Sequence, residues 1–183
     1  MQAEVLALPS ATGEAEYLED TSVRRLVLDH YDREHLALRR YLVFLGVDGE
    51  TAQEIVQDAF LKLHEHLLAG RDRTNLRAWL YRVAHNLARN AQTAFGTAKN
   101  DPLSEMAAEM RSNAETAEEE LIALERMERL RAGMQQLSPA QREALVLRAQ
   151  GLKYREMAQV LNVSISTVAE TVQRGLERLK ELL

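Results

Sequence analysis

The chain has 183 residues, 46% apolar and 28% charged, with a formal charge of -5; that size suits one ordinary domain or two small ones and excludes a large multidomain enzyme. Three Pro, eight Gly and a 5% aromatic share, with long runs of Ala, Leu, Glu, Arg and Gln, favour helices over a sandwich or barrel. Cys is absent, which excludes disulfides, thiolate zinc sites and thiol redox sensing.

The net charge hides a segregation. Residues 1–20 hold five acids and no base, 21–100 twelve bases and nine acids, 101–130 three bases and nine acids, and 131–183 eight bases and five acids. Two mildly basic blocks are joined by an acidic connector and preceded by an acidic tail. The first twenty residues lack a basic run ahead of an apolar stretch, and no window approaches the roughly 18 apolar residues of a membrane span. A cytoplasmic chain, neither secreted nor inserted, is expected.

From Thr21 to Phe44 apolar residues recur at helical spacing (Val23, Leu26, Val27, Tyr31, Leu36, Leu38, Tyr41, Leu42), and Gly46 and Gly49 end the run. Thr51, with Glu54 three residues on, reads as a capping box opening a helix through about Leu68. After the polar turn Arg71 to Asn75, a third helix carries Leu76, Trp79, Leu80, Val83 and Leu87 as its buried stripe, and the pattern decays beyond Asn90. Ser112 to Leu130 is a Glu-rich helical connector, its acids suited to the positive end of a helix dipole. Ser138-Pro139-Ala140-Gln141 puts a Ser cap, a Pro at the first helical position and a Gln at the capping-box position ahead of a helix ending near Ala149, with Gly151 as its stop.

The stretch from Lys153 onward has the spacing of a helix-turn-helix. Ala158 supplies the small residue where two helices cross, Asn162 tolerates the left-handed turn, and Val168 locks the second helix. Val172, Leu176, Leu179 and Leu183 then point inward. Ser166, Thr167, Ala169, Glu170, Gln173, Arg174, Glu177 and Arg178 point outward, as a groove-reading helix requires.

These residues resemble the extracytoplasmic-function (ECF, group IV) class of the sigma-70 family of RNA polymerase sigma factors. Thr51-Ala52-Gln53-Glu54-Ile55-Val56-Gln57-Asp58-Ala59-Phe60-Leu61-Lys62-Leu63 is similar to the family's polymerase-binding helix. Asn75-Leu76-Arg77-Ala78-Trp79-Leu80-Tyr81-Arg82-Val83-Ala84-His85-Asn86-Leu87-Ala88-Arg89-Asn90 is similar to its promoter-opening segment. Leu137 to Ala144 and the final hairpin resemble its C-terminal domain. The resemblance covers residues 21–183, and the combination in this order is its specific part.

The resemblance implies an all-α chain of two small helical domains: an acidic tail (1–20), a sigma domain 2 bundle (21–100), an acidic linker (101–125) and a sigma domain 4 helix-turn-helix (126–183). It implies core polymerase contacts at Glu54, Gln57, Asp58 and Leu61, minus-ten contacts at Arg77, Arg82, His85, Asn86 and Arg89, and minus-thirty-five contacts at Ser164, Ser166, Thr167, Glu170, Gln173 and Arg174. An amide at Asn86 can donate to and accept from an unstacked base, and arginines can hold the displaced strand by its phosphates.

Two departures weaken the DNA faces. The stretch after the minus-ten segment, Ala91 to Lys99, carries one Lys where family members carry a basic run, and the recognition helix has Ala169-Glu170-Thr171 in place of Lys, Ser and Arg. A carboxylate in a phosphate-lined groove costs affinity unless it accepts from a cytosine amine.

The expected function is a sigma factor that binds core RNA polymerase and directs promoter-specific initiation. The alternative is a sigma-like decoy that sequesters an anti-sigma factor without initiating transcription. No enzyme is expected, because paired carboxylates, a nucleophile with its base and a phosphate-cradling Gly loop are missing. Neither a cofactor nor a metal is expected; the His pairs 64/66 and 30/35 lack the spacing for a shared ion. Expected partners are core polymerase, promoter DNA and, as a candidate regulator, an anti-sigma factor. The acidic tail from Glu4 to Asp20 and the Glu115–Glu120 cluster are candidate covers for the basic faces.

Overall fold

A computed structural model describes residues 11–95 and 116–182, arranged as seven helices: α1 (Ala11–Phe44), α2 (Gly49–Leu68), α3 (Leu76–Phe95), α4 (Ala117–Gln135), α5 (Pro139–Ala149), α6 (Tyr154–Leu161) and α7 (Ile165–Leu182). Of the expected covers, Glu4–Glu19, Glu115 and Glu120 lie outside the residues whose side chains are described, as does the stretch around Lys99.

The first three helices form a bundle. Val23, Leu38, Tyr41 and Leu42 of α1 meet Ile55, Val56, Ala59, Phe60, Leu63 and Leu67 of α2, and Leu80, Tyr81, Ala84 and Ala88 of α3 close the core. Leu36, in the same apolar series of α1, is left exposed, since two residues from Leu38 the helical turn carries it to the opposite side. Each fully buried Leu, Val or Tyr contributes about 1.5–3 kcal/mol of transfer free energy. Tyr31 lays its ring edge-on to Phe60 with centroids 5.0 Å apart, a favoured aromatic geometry.

The start of α2 differs from the sequence expectation. Asp48, not Thr51, is the cap: its carboxylate accepts from the amides of Glu50 (3.1 Å) and Thr51 (2.9 Å). The helix begins one turn earlier, because Gly49 permits it to start directly after the capping carboxylate and Asp is an equally good capping type.

The C-terminal helices are encoded locally. Ser138 Oγ accepts from the Gln141 amide (3.3 Å) while the Gln141 side chain accepts from the Ser138 amide (3.0 Å), and Pro139 occupies the first turn. Thr116 and Glu119 make the same reciprocal pair at α4. Gly151, at φ 84°, ends α5, with the Gly151 amide bonded to Arg148 O and that of Leu152 to Leu147 O.

In the closing hairpin Ala158 and Val168 are buried, and Asn162 sits at φ 54°, ψ 46° with its amide bonded to Ala158 O. Leu176 departs from expectation: it is 45% exposed, and Gly175 takes the buried position instead. A Cβ at Gly175 would stand 3.2 Å from Leu145 Cδ1, so α7 approaches α5 too closely there for a side chain.

Among the described residues no helix is long and apolar enough to cross a membrane, and no three His, Asp or Glu side chains gather as a metal cluster.

Candidate nucleic-acid interface

Three surfaces carry the expected contacts. On α2, Ile55, Ala59 and Leu63 turn into the bundle, so the helical period carries Glu54, Gln57, Asp58 and Leu61 to the outside. All four are exposed, Leu61 at 58%. An exposed Leu flanked by two carboxylates and an amide suits a partner groove that is basic with an apolar centre.

On α7, Ser166, Thr167, Glu170, Gln173 and Arg174 are exposed while Val168 and Val172 are buried. Ser164 also caps this recognition helix. Its hydroxyl accepts from the Thr167 amide (3.1 Å) and lies 2.8 Å from both the Ser166 and Thr167 hydroxyls. Glu170 and Arg174 form an i,i+4 ion pair at 3.5 Å with both side chains well exposed, so the carboxylate and the cation partly cancel. Gln173 donates to Glu177 (2.9 Å).

On α3 the expected residues separate. Arg82, Asn86 and Arg89 follow at i, i+4 and i+7 and are all exposed on one face. His85 does not join them. It is 5% exposed, with Nδ1 hydrogen-bonded to Tyr41 Oη at 2.7 Å. Burial, reinforced by the Arg89 charge, pushes its pKa down to about 4, so the ring is neutral at physiological pH and locks α1 to α3. Trp79 is half-buried and packs on His66 with ring centroids 4.7 Å apart.

Arg77 lies on the flank. Its Nε donates to Glu34 Oε2 (2.9 Å), its Nη2 donates to the backbone carbonyl of Gln150, and its guanidinium lies over the Tyr81 ring at 5.7 Å.

Sequence reasoning missed what faces α3. The helix packs along α6, and Arg82 and Asn86 wall a cleft of about 590 Å³ whose far side is Arg155, Gln159, Asn162 and Ile165. On α5, Glu143 is partly buried; burial pushes its carboxyl up, and the charges of Arg89 and Arg142 hold it back. No local pattern encodes this juxtaposition; the only hint was an Arg-rich α3 with no acids.

The model for sigma-70 region 2 matches residues 30–94 and that for sigma-70 region 4 matches residues 127–179. RNA polymerase sigma factor SigZ of Bacillus subtilis is 30% identical over 85% of this chain and 85% of its own length. The ECF RNA polymerase sigma factor EcfG of Rhodopseudomonas palustris is 28% identical over 80% of this chain and 79% of its own. Among solved structures, CnrH in complex with the cytosolic domain of CnrY superposes with a TM-score of 0.62 at 21% identity, over 91% of this chain and 93% of that one. The sigma factor RpoE in complex with the anti-sigma factor NepR, from Bartonella quintana, gives 0.58 at 21% identity over 84% and 94%. At that identity the two structures speak for the fold.

Proposed function

The chain belongs to the sigma-70 family of RNA polymerase sigma factors, in its extracytoplasmic-function class, and from that premise we propose how its surfaces divide the work of promoter-specific initiation. Glu54, Gln57, Asp58 and Leu61 of α2 hold core polymerase. Arg82, Asn86 and Arg89, with Arg77 at the flank, engage the opened minus-ten strand: Asn86 reads an unstacked base and the arginines hold phosphates. Ser166, Thr167, Glu170, Gln173 and Arg174 face the minus-thirty-five duplex from the first turns of α7, while Ser164 sets the helix start. His85 supports the minus-ten helix from beneath and touches no DNA.

The observation that carries this reading is the exposure of all three residue sets on helices whose opposite faces are core. The domain limits that fit it are 21–100 and 126–183, with 1–20 and 101–125 as acidic tail and linker. The chain works in the cytoplasm, where polymerase is, and catalyses no reaction itself.

A second reading has its own support: both superposed solved structures are of complexes, and in one of them the partner is named as an anti-sigma factor. We propose an anti-sigma factor as this chain's regulatory partner, and a pure decoy as the alternative function. The discriminating experiment is competition for purified core polymerase against a labelled housekeeping sigma factor. The wild-type chain should displace the label and Asp58→Arg should not; failure of the wild type to compete favours the decoy.

A further inference from the structure

Two arginines from different helices line one cleft, and no acid answers either of them. Arg82 comes from α3 with Asn86 beside it, and Arg155 comes from α6 with Gln159 and the turn residue Asn162. No carboxylate is among the described residues that line the cleft. Glu156, next to Arg155 in sequence, is turned to the start of α6, where its Oε2 accepts from the Lys153 amide at 2.7 Å. Arg77, earlier on α3, is by contrast paired with Glu34 at 2.9 Å. Among the described residues no ion pair or hydrogen bond engages the guanidinium of Arg82 or Arg155, or the side-chain amides of Asn86, Gln159 and Asn162.

The lining has three chemistries. Two cations in one cleft repel each other and gain by sharing an anion, and a guanidinium fork matches the oxygens of a phosphate group. The three amides carry both donors and acceptors, the complement of a base edge. The other walls are apolar: Ala158 and Val160 are buried, while Val163 and Ile165 remain 42% and 51% exposed, enough bare surface to take a flat ring. The cleft volume of about 590 Å³ falls inside the roughly 300–1,000 Å³ of small-molecule sites, which join apolar walls to a few convergent polar groups.

We propose that this cleft binds a free nucleoside diphosphate. Arg82 and Arg155 hold its two phosphates, Asn86, Gln159 and Asn162 meet the base edge, and Val163 and Ile165 lie under the ring. The inference stands without the assignment of α3 to the minus-ten strand. With that assignment, nucleotide and strand exclude each other at Arg82 and Asn86, and each lowers the affinity of the other by the same factor. Phosphate on arginine is the chemistry the two ligands share, so the test must separate a free nucleotide from the phosphodiesters of a single strand.

Isothermal titration calorimetry of the full-length chain at low salt provides that test, with ADP, GDP, adenosine, inorganic pyrophosphate and a short single-stranded oligodeoxynucleotide as titrants. ADP or GDP should bind saturably, one to one, and more weakly as salt is added. Pyrophosphate should bind about tenfold more weakly for want of the base contacts, and adenosine should not bind. Arg155→Ala removes a side chain with no partner in the chain and should lower diphosphate affinity about tenfold or more. Gln159→Leu should weaken the nucleotide and leave pyrophosphate unchanged, a split that a merely structural role would not produce. Circular dichroism establishes that each variant is folded; should Arg155→Ala not fold, Arg155→Gln decides in its place. No saturation by either diphosphate up to about 1 mM, binding indifferent to Arg155, or pyrophosphate as tight as the nucleotides would overturn the site. Oligonucleotide binding that requires Arg155 while neither diphosphate binds would overturn the free nucleotide and give the cleft to the strand.

Discussion

Tyr41 of α1 and His85 of α3 share a hydrogen bond of 2.7 Å in the buried heart of the N-terminal bundle, 44 residues apart in sequence. Burial raises the tyrosine hydroxyl's pKa well above its usual range and lowers that of the imidazole to about 4, so both partners stay neutral where the protein works. In the unfolded chain the histidine takes up its proton near 6.5. Stability is therefore complete above that pH, falls as pH drops from 6.5 to about 4, and levels off below, a loss of about 3 kcal/mol. His85→Gln should flatten this part of the pH profile of thermal unfolding; an unchanged slope would contradict the buried neutral ring.

How much of this is legible in the sequence depends on the distance over which each feature is encoded. The Ser138 to Gln141 cap is written in four consecutive residues and forms as they predict. The left-handed turn at Asn162, flanked by Ala158 and Val168, is legible because three spaced residues serve one local geometry. At α2 two capping residue types stand three apart, and Asp48 wins over Thr51. Leu176 points inward by period alone, but the close approach of α5 gives that place to Gly175. His85 and the contact of Arg77 with the turn after α5 depend on Tyr41 and Gln150, which no local pattern links to α3. The stripe expected on α3 is accordingly too narrow: Tyr81, Ala84, His85 and Ala88 are buried besides Leu76 and Leu80.

The turn of the helix-turn-helix can be tested at Asn162. With φ at 54°, a β-branched residue is strained there, so Asn162→Val should cost about 1–2 kcal/mol in denaturant unfolding. Asn162→Gly should be near neutral, since Gly adopts the same conformation freely.

Packing of the recognition helix can be tested at Gly175. The Cβ position lies 3.2 and 3.3 Å from Leu145 side-chain carbons and 3.5 Å from Gln141 Cβ. Gly175→Val should force α7 away from α5 at a cost of about 1–3 kcal/mol, seen as a lowered unfolding midpoint.

On the exposed face of α7, Glu170 offsets Arg174 at 3.5 Å. Glu170→Lys should free Arg174 and add a cation, strengthening duplex binding at low salt and steepening the dependence of log K on log salt by about one unit or more. A weaker complex would mean that Glu170 accepts from a cytosine amine and reads sequence.

Run-off transcription with purified core polymerase on a genomic promoter library, with this chain as the sole sigma factor, bears most directly on whether it initiates. Expected are discrete transcripts that require the chain and fall about fivefold or more with Asn86→Ala, as the loss of a base contact worth about 1–3 kcal/mol demands. No transcript from a folded chain that still binds an anti-sigma factor tightly would contradict initiation and leave the decoy.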